Sequence, residues 1–228
     1  MKKLLILWFG LLACGLVFAA PPQKVSAVYE ATRDGQPFAT VTETFRQEGS
    51  HYRIESLTKG VGVYALLGVR RLSSEGEVTA EGLRPRRFEQ QQGDRKPVVA
   101  EFDWEGGKLT MTNKNKVTTV DLQAGTQDLA SFTYQFVFRA PEGDTVAMPV
   151  TTGKRLRDYR YQVTGRDQTF DSPLGALRVL RLNNQAADPN DEKELWLASE
   201  KHHLPARIVM RDENGAAIEQ VLTGLSIE

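Results

Sequence analysis

The groups from which a catalytic or metal site could be assembled are few: three His, one Cys and the acidic side chains. His202-His203 is the first pair to consider, because imidazoles are common zinc ligands. Adjacent residues of an extended segment point to opposite faces, so this pair cannot readily share one ion, and His51 is remote in sequence. A polar turn ahead of Leu204-Pro205 is the expected role. Asp188-Pro189-Asn190-Asp191-Glu192 begins like a calcium loop. It then places Lys193 where the turn needs Gly and offers no bidentate Glu at the twelfth position. No metal and no cofactor is therefore expected. Nucleophilic hydrolysis needs a Ser with a His base and an orienting carboxylate, and the Gly-x-Ser-x-Gly elbow is absent. Glu101, Asp103 and Asp128 could supply paired carboxylates if the fold brought them together. Asp103 reads more simply as the end of a strand before Trp104, and Asp128 as a helix cap. Gly60-x-Gly62 lacks the Lys and helix of a phosphate loop. The chain is expected not to be an enzyme, and a hydrolase acting on glycan or lipid is the weakest of its functional readings.

Binding chemistry has more material. Arg70, Arg71, Arg84, Arg86 and Arg87 form the densest basic region, which could hold an anionic group or a protein partner through guanidinium forks. The competing reading is a solvated sheet edge guarded by charge, since Pro85 cannot donate to a ladder and is expected on an edge strand. Tyr159, Tyr161, Trp196 and Phe136 are candidates to line a concave face, with Tyr64 in an uncharged segment that could cover it.

These residues must be positioned by strands. Period-2 alternation recurs in about a dozen runs: 25–32, 39–45, 52–57, 71–79, 98–104, 108–112, 117–122, 157–164, 177–182, 194–198, 206–210 and 218–225. Turn signals such as Asp34-Gly35, Gly106-Gly107 and Asn214-Gly215 separate them. This predicts an all-β, mainly antiparallel domain of about twelve strands, either a strongly curved sheet or an open or flattened barrel. One segment departs from the pattern at about 127–140, where Asp128 and an apolar stripe of Leu129, Phe132, Phe136 and Val137 predict a helix that would plug the curved sheet. The other is 60–67, apolar and flanked by Gly, which is either a buried turn of helix or a flap over a cavity.

Lys2-Lys3, an apolar run to Val17 and Val17-Phe18-Ala19 read as a secretory signal peptide over 1–19, leaving 20–228 as a single β-rich domain. The run is shorter than the ~20 residues of a membrane span, so no transmembrane helix is expected in the mature chain. A periplasmic address in a Gram-negative cell follows. The alternative is a lipoprotein anchored through Cys14, for which Leu11-Leu12-Ala13-Cys14 is the cue. Basic and acidic residues balance at 29 each, which disfavours nucleic acid as a partner.

Gly82-Leu83-Arg84-Pro85, Phe102-Asp103-Trp104, Gln127-Asp128 with Ser131 and Tyr134, Pro173-Leu174-Gly175, Leu195-Trp196-Leu197 and Leu204-Pro205-Ala206-Arg207 occur in an order and spacing that resembles the exported bacterial family catalogued as domain of unknown function 3108. The likeness runs from about Tyr29 to about Leu222. It implies export and an all-β body, and it carries no catalytic residues. The expected function is a non-catalytic binding module or carrier for an apolar or amphipathic, lipid-like ligand, with an envelope scaffold or assembly partner as the alternative.

Overall fold

Buried and exposed residues alternate along nearly every extended run, as they must when one face of a strand is dry and the other wet. A computed structural model describes residues 21–184, 192–211 and 214–228. The leader, Cys14 and the acidic loop 188–191 lie outside the described residues. The chain first runs as a meander of β1 (Lys24–Arg33), β2 (Gln36–Glu48), β3 (His51–Gly60), β4 (Arg70–Thr79), β5 (Gly82–Gln92), β6 (Val98–Asp103), β7 (Lys108–Asn113) and β8 (Lys116–Asp121). After β9 (Gln127–Asp128) and helix α1 (Ser131–Phe138) it returns through β10 (Thr145–Thr151), β11 (Leu156–Ser172), β12 (Gly175–Asn183), β13 (Lys193–Ala198), β14 (Leu204–Arg211) and β15 (Ala217–Ile227). β15 pairs with β1, which joins the two runs into one sheet with β8 and β9 at its ends. Every pairing is antiparallel except that of β9 with β10.

The sheet has 15 strands rather than about twelve, and it is open, so the barrel reading is corrected. Among the uncounted strands, β9 is two residues long and β10 carries Met148-Pro149 inside a run with little alternation. Pro85 is also not on an edge. β5 pairs with β4 throughout and with β6 only over Arg87–Gln90, and Pro85 sits where β4 and β5 shift register. It therefore lies beyond the reach of β6, where a missing N–H leaves no ladder bond unmade on that side.

Although no ladder closes the sheet, its halves curl toward each other. Thr151 Oγ1 on β10 donates to Met111 Sδ on β7 at 3.3 Å. Gly153, at φ +75°, passes so close to the first half that a Cβ there would lie 2.7 Å from Val98 Cγ1. Substitution Gly153→Ala is expected to cost about 1–3 kcal/mol, through both the positive φ and the overpacking, measurable as a shift in the urea midpoint.

The predicted plug is present as α1, but it is shorter than the expected 127–140: Gln127-Asp128 pair with β10 as β9, and the helix begins only at Ser131. Tyr134 stacks on Phe45 with ring centroids 5.5 Å apart, in a core cluster that also takes in Ile54, Phe88 and Leu109. Phe136 joins a second cluster with Tyr161, Leu182, Leu195 and Leu197. The helix thus fills the trough from both sides. Its start is set by Asp128, whose Oδ1 accepts the N–H groups of Ala130 at 2.8 Å and Ser131 at 2.9 Å. The 60–67 segment forms a short 3-10 helix, Gly62–Leu67, none of whose residues is buried. The buried-turn reading is thereby excluded.

Candidate functional site

The inward face of β1 to β3 changes character along its length. Toward one end it carries Phe45, Tyr52 and Ile54, which pack under α1. Toward the other end the same face carries Ala31, Ala39, Thr58 and Gly60, whose small side chains cannot fill the trough. α1 does not reach there, and a cavity of 430 Å³ remains. Val41, Met210 and Ile218 extend its apolar wall, and Arg33, Arg70, Gln92, Asn214 and Gln220 are among its polar members. The Gly62–Leu67 helix forms the rim. Tyr64 contributes to the lining and meets Phe38 edge-on at 4.7 Å. Gly60 is required here, because a Cβ would lie 2.3 Å from the Tyr64 carbonyl oxygen.

Arg70 faces the cavity while its neighbour Arg71 points outward, as alternation requires. The Arg70 guanidinium donates to Gln90 Oε1 at 3.2 Å and has no carboxylate partner among the described residues. Burial pulls its pKa below the ordinary guanidinium value.

Below the cavity the inward face places Glu43 between Ala27 and Ser56 on the flanking strands. Burial pushes its carboxyl up to about 7, against the smaller effect of the Ser56 hydroxyl, which favours the charged form. Tyr29 and Tyr134 lie close enough to feel this charge, and both are pushed upward, by burial first and by Glu43 second. Both phenol oxygens are buried without a hydrogen-bond partner among the described residues. A second buried carboxylate, Asp128, is pushed up to about 6 by burial, against the Ser74 hydroxyl and the backbone N–H groups that favour its charge.

Raised carboxyl pKa values mean that the folded state binds protons more tightly than the unfolded chain. Stability contributed in this way is greatest below the unfolded value and is lost as pH rises through the folded value. For Glu43 the window runs from its ordinary 4.5 to about 7. Thermal melts are expected to fall in midpoint across this range, and Glu43→Gln should flatten the slope. A midpoint that climbed steadily from pH 4.5 to 7 would contradict this reading of Glu43.

The sequence-predicted residues separate. Tyr64 lines the cavity. Tyr161 and Phe136 are buried in the second cluster, and Tyr159 packs at its margin against Tyr161 and Phe132. Lys193 caps Tyr159, with Nζ 3.0 Å from the phenol oxygen. Trp196 occupies the other face of β13 from Leu195 and Leu197, sandwiched between Arg181 and Arg207 at 4.6 Å each. The arginine group divides as well. Arg86 pairs with Glu77 at 2.7 Å, Arg87 pairs with Glu89 and with Glu101 at 2.7 Å, and Arg84 lies 5.1 Å over Trp104. Only Arg70 turns inward.

The carboxylate trio does not share one setting. Glu101 is exposed beside Arg87, Asp103 accepts the Gly106 N–H at 2.8 Å in a turn, and Asp128 is buried under α1. His202 and His203 occupy consecutive left-handed positions, φ 52° and 57°, in the turn before β14. Among the described residues no cluster of His, Cys, Asp and Glu could hold a metal ion. No described helix is long and apolar enough to cross a membrane.

No curated protein matches the chain. Among solved structures, it is similar to a candidate lipoprotein from Parabacteroides distasonis ATCC 8503, with 10% sequence identity, a TM-score of 0.39, and coverage of 90% of this chain and 97% of the other. The model of one sequence family matches residues 28–223, from β1 to β15. That span takes in every strand that walls the cavity as well as the helix that plugs the rest of the trough, and the chain belongs to the family described as Protein of unknown function (DUF3108).

Proposed function

We propose that this protein is an exported, non-catalytic binding module of the cell envelope that holds a single amphipathic ligand with an anionic head. The observation that carries the reading is the cavity itself: 430 Å³, walled mainly by small and aliphatic side chains, with the Arg70 guanidinium, which donates to Gln90 and has no carboxylate partner among the described residues, turned into it. That volume falls within the ~300–1,000 Å³ of ordinary ligand sites, and the combination of apolar wall and few convergent polar groups is what such sites require. An acyl or alkyl chain would lie along Ala31, Ala39, Val41 and Ile218, and its head group would displace Gln90 from Arg70. Export rests on the leader-like residues 1–19, which give the module a periplasmic address.

Titration with laurate, followed by calorimetry, tests the reading. Saturable binding of one molecule per chain is the expected result. Absence of heat with laurate, dodecyl phosphate and dodecanol alike would count against any amphiphile in this cavity.

A further inference from the structure

We propose that the cavity rim docks on the surface of an anionic lipid bilayer, with the Gly62–Leu67 helix as its apolar tip. Of the six large hydrophobic residues that are exposed among the described residues, four are Val61, Val63, Leu66 and Leu67. Leu66 is 91% exposed and Val63 76% exposed, so neither is spent on packing. Tyr64 from the same turn faces the cavity, which divides this helix into an inward side that lines the site and an outward side that touches nothing.

Charge chooses the partner. From residue 56 to residue 74 the sequence holds no acid, and the exposed cations Lys59 and Arg71 flank the tip. The β5–β6 turn is fastened beside it, with Gln92 Nε2 donating to the Leu67 carbonyl at 2.7 Å and Gly93 N–H to the Val69 carbonyl at 2.9 Å. That turn brings Arg95 and Lys96, whose neighbouring hollow also takes in Lys114 and Lys154, with Asp94 as the nearby acid. None of Lys59, Arg71, Arg95, Lys96, Lys114 and Lys154 has an ion pair among the described residues. On the outer face of β3 to β6, by contrast, Arg53, Arg86 and Arg87 are each held by a Glu. An apolar tip flanked on one side by uncompensated cations is an arrangement that an anionic interface rewards, by burial of the tip and attraction at the head groups. A docked rim would set the cavity mouth against the membrane. The proposal rests on the rim alone and does not need the cavity to be occupied.

Sedimentation with vesicles of phosphatidylglycerol and phosphatidylethanolamine tests it. Binding is expected to fall at least tenfold on vesicles of pure phosphatidylcholine, and at least tenfold for the double variant Val63→Asp, Leu66→Asp on the anionic vesicles. Arg95→Glu with Lys96→Glu should also weaken binding and reduce its salt dependence. The tip variants should melt at the temperature of the parent, because the replaced side chains pack on nothing. Failure of the parent to sediment with anionic vesicles, or undiminished binding by the tip variant, overturns the proposal. So does a concentration-dependent dimer that the tip variant abolishes in the absence of vesicle binding. Arg70→Met separates the two readings, since it should leave vesicle binding intact while weakening laurate. A chain that binds laurate and ignores vesicles refutes the docking alone.

Discussion

Replacing Asp128 by Ala is expected to lower the stability of the fold by about 2–5 kcal/mol, the largest effect predicted for any one polar residue. Asp128 is fully buried, and its carboxylate accepts from three donors, one on β4 and two at the start of α1. Its Oδ2 takes the Ser74 hydroxyl at 2.6 Å, its Oδ1 takes two backbone N–H groups at the start of α1, and its own backbone N–H reaches Ser131 Oγ. Ser74 has a single proton and gives it to Asp128, so the Tyr52 hydroxyl, 3.0 Å away, must donate to Ser74. The carboxylate therefore anchors a chain of hydrogen bonds running from β3 through β4 to the helix that plugs the trough. Removing it deletes the cap, worth ~0.5–2 kcal/mol, and leaves buried donors unpaired at ~1–3 kcal/mol. Asp128→Asn keeps an acceptor for the backbone groups and should lose about half as much. Urea unfolding of the three proteins checks this, and a loss below about 1 kcal/mol for Asp128→Ala would show that the network does not hold α1 in place.

The second large effect concerns binding. Ala39 is 1% exposed on a strand that walls the cavity, and its small side chain is one reason the cavity exists. In Ala39→Phe the ring would project into the hollow that the ligand's chain would use. Laurate affinity is expected to fall by more than 100-fold, while the fold, which already tolerates an empty volume there, stays intact. Arg70→Met removes the charge and keeps much of the aliphatic stem. A charged hydrogen bond lost from a buried site corresponds to about 1.5–3 kcal/mol, or roughly 10- to 100-fold in affinity. Dodecanol, which lacks the anionic head, should be weakened by Ala39→Phe and scarcely affected by Arg70→Met. This double dissociation distinguishes a head-group contact from a general loosening of the rim.

Much of this architecture can be read from period-2 alternation. Tyr159, Tyr161 and Val163 share a face, and Asp128 ahead of an aromatic stripe marks a helix start. Both signals are local and both describe the observed elements. Which aromatic residues face open space is decided by the wrapping of distant strands, and no local pattern carries it. Tyr161 and Phe136 are inward, but α1 packs them against β12 and β13. Trp196 is one residue out of step with Leu195 and Leu197, so it faces the other way. Its alternation was readable in advance, whereas the face chosen by the core was not. The signals that do mark the cavity are quieter. They are the small residues Ala31, Ala39 and Gly60 on inward positions of three adjacent strands, and the acid Glu43 between core neighbours Val41 and Phe45. The Arg cluster likewise lost its unity because alternation sends Arg70 inward and Arg71 outward, while Glu77, Glu89 and Glu101 engage the rest.

Native mass spectrometry of the protein purified gently from its own cells, alongside Ala39→Phe prepared in the same way, tests the central claim most directly. The predicted result is a bound adduct, released on activation as an anionic amphiphile, on the parent chain and absent from Ala39→Phe. A clean unliganded mass for the parent, or the same adduct on both proteins, would contradict a ligand held in this cavity.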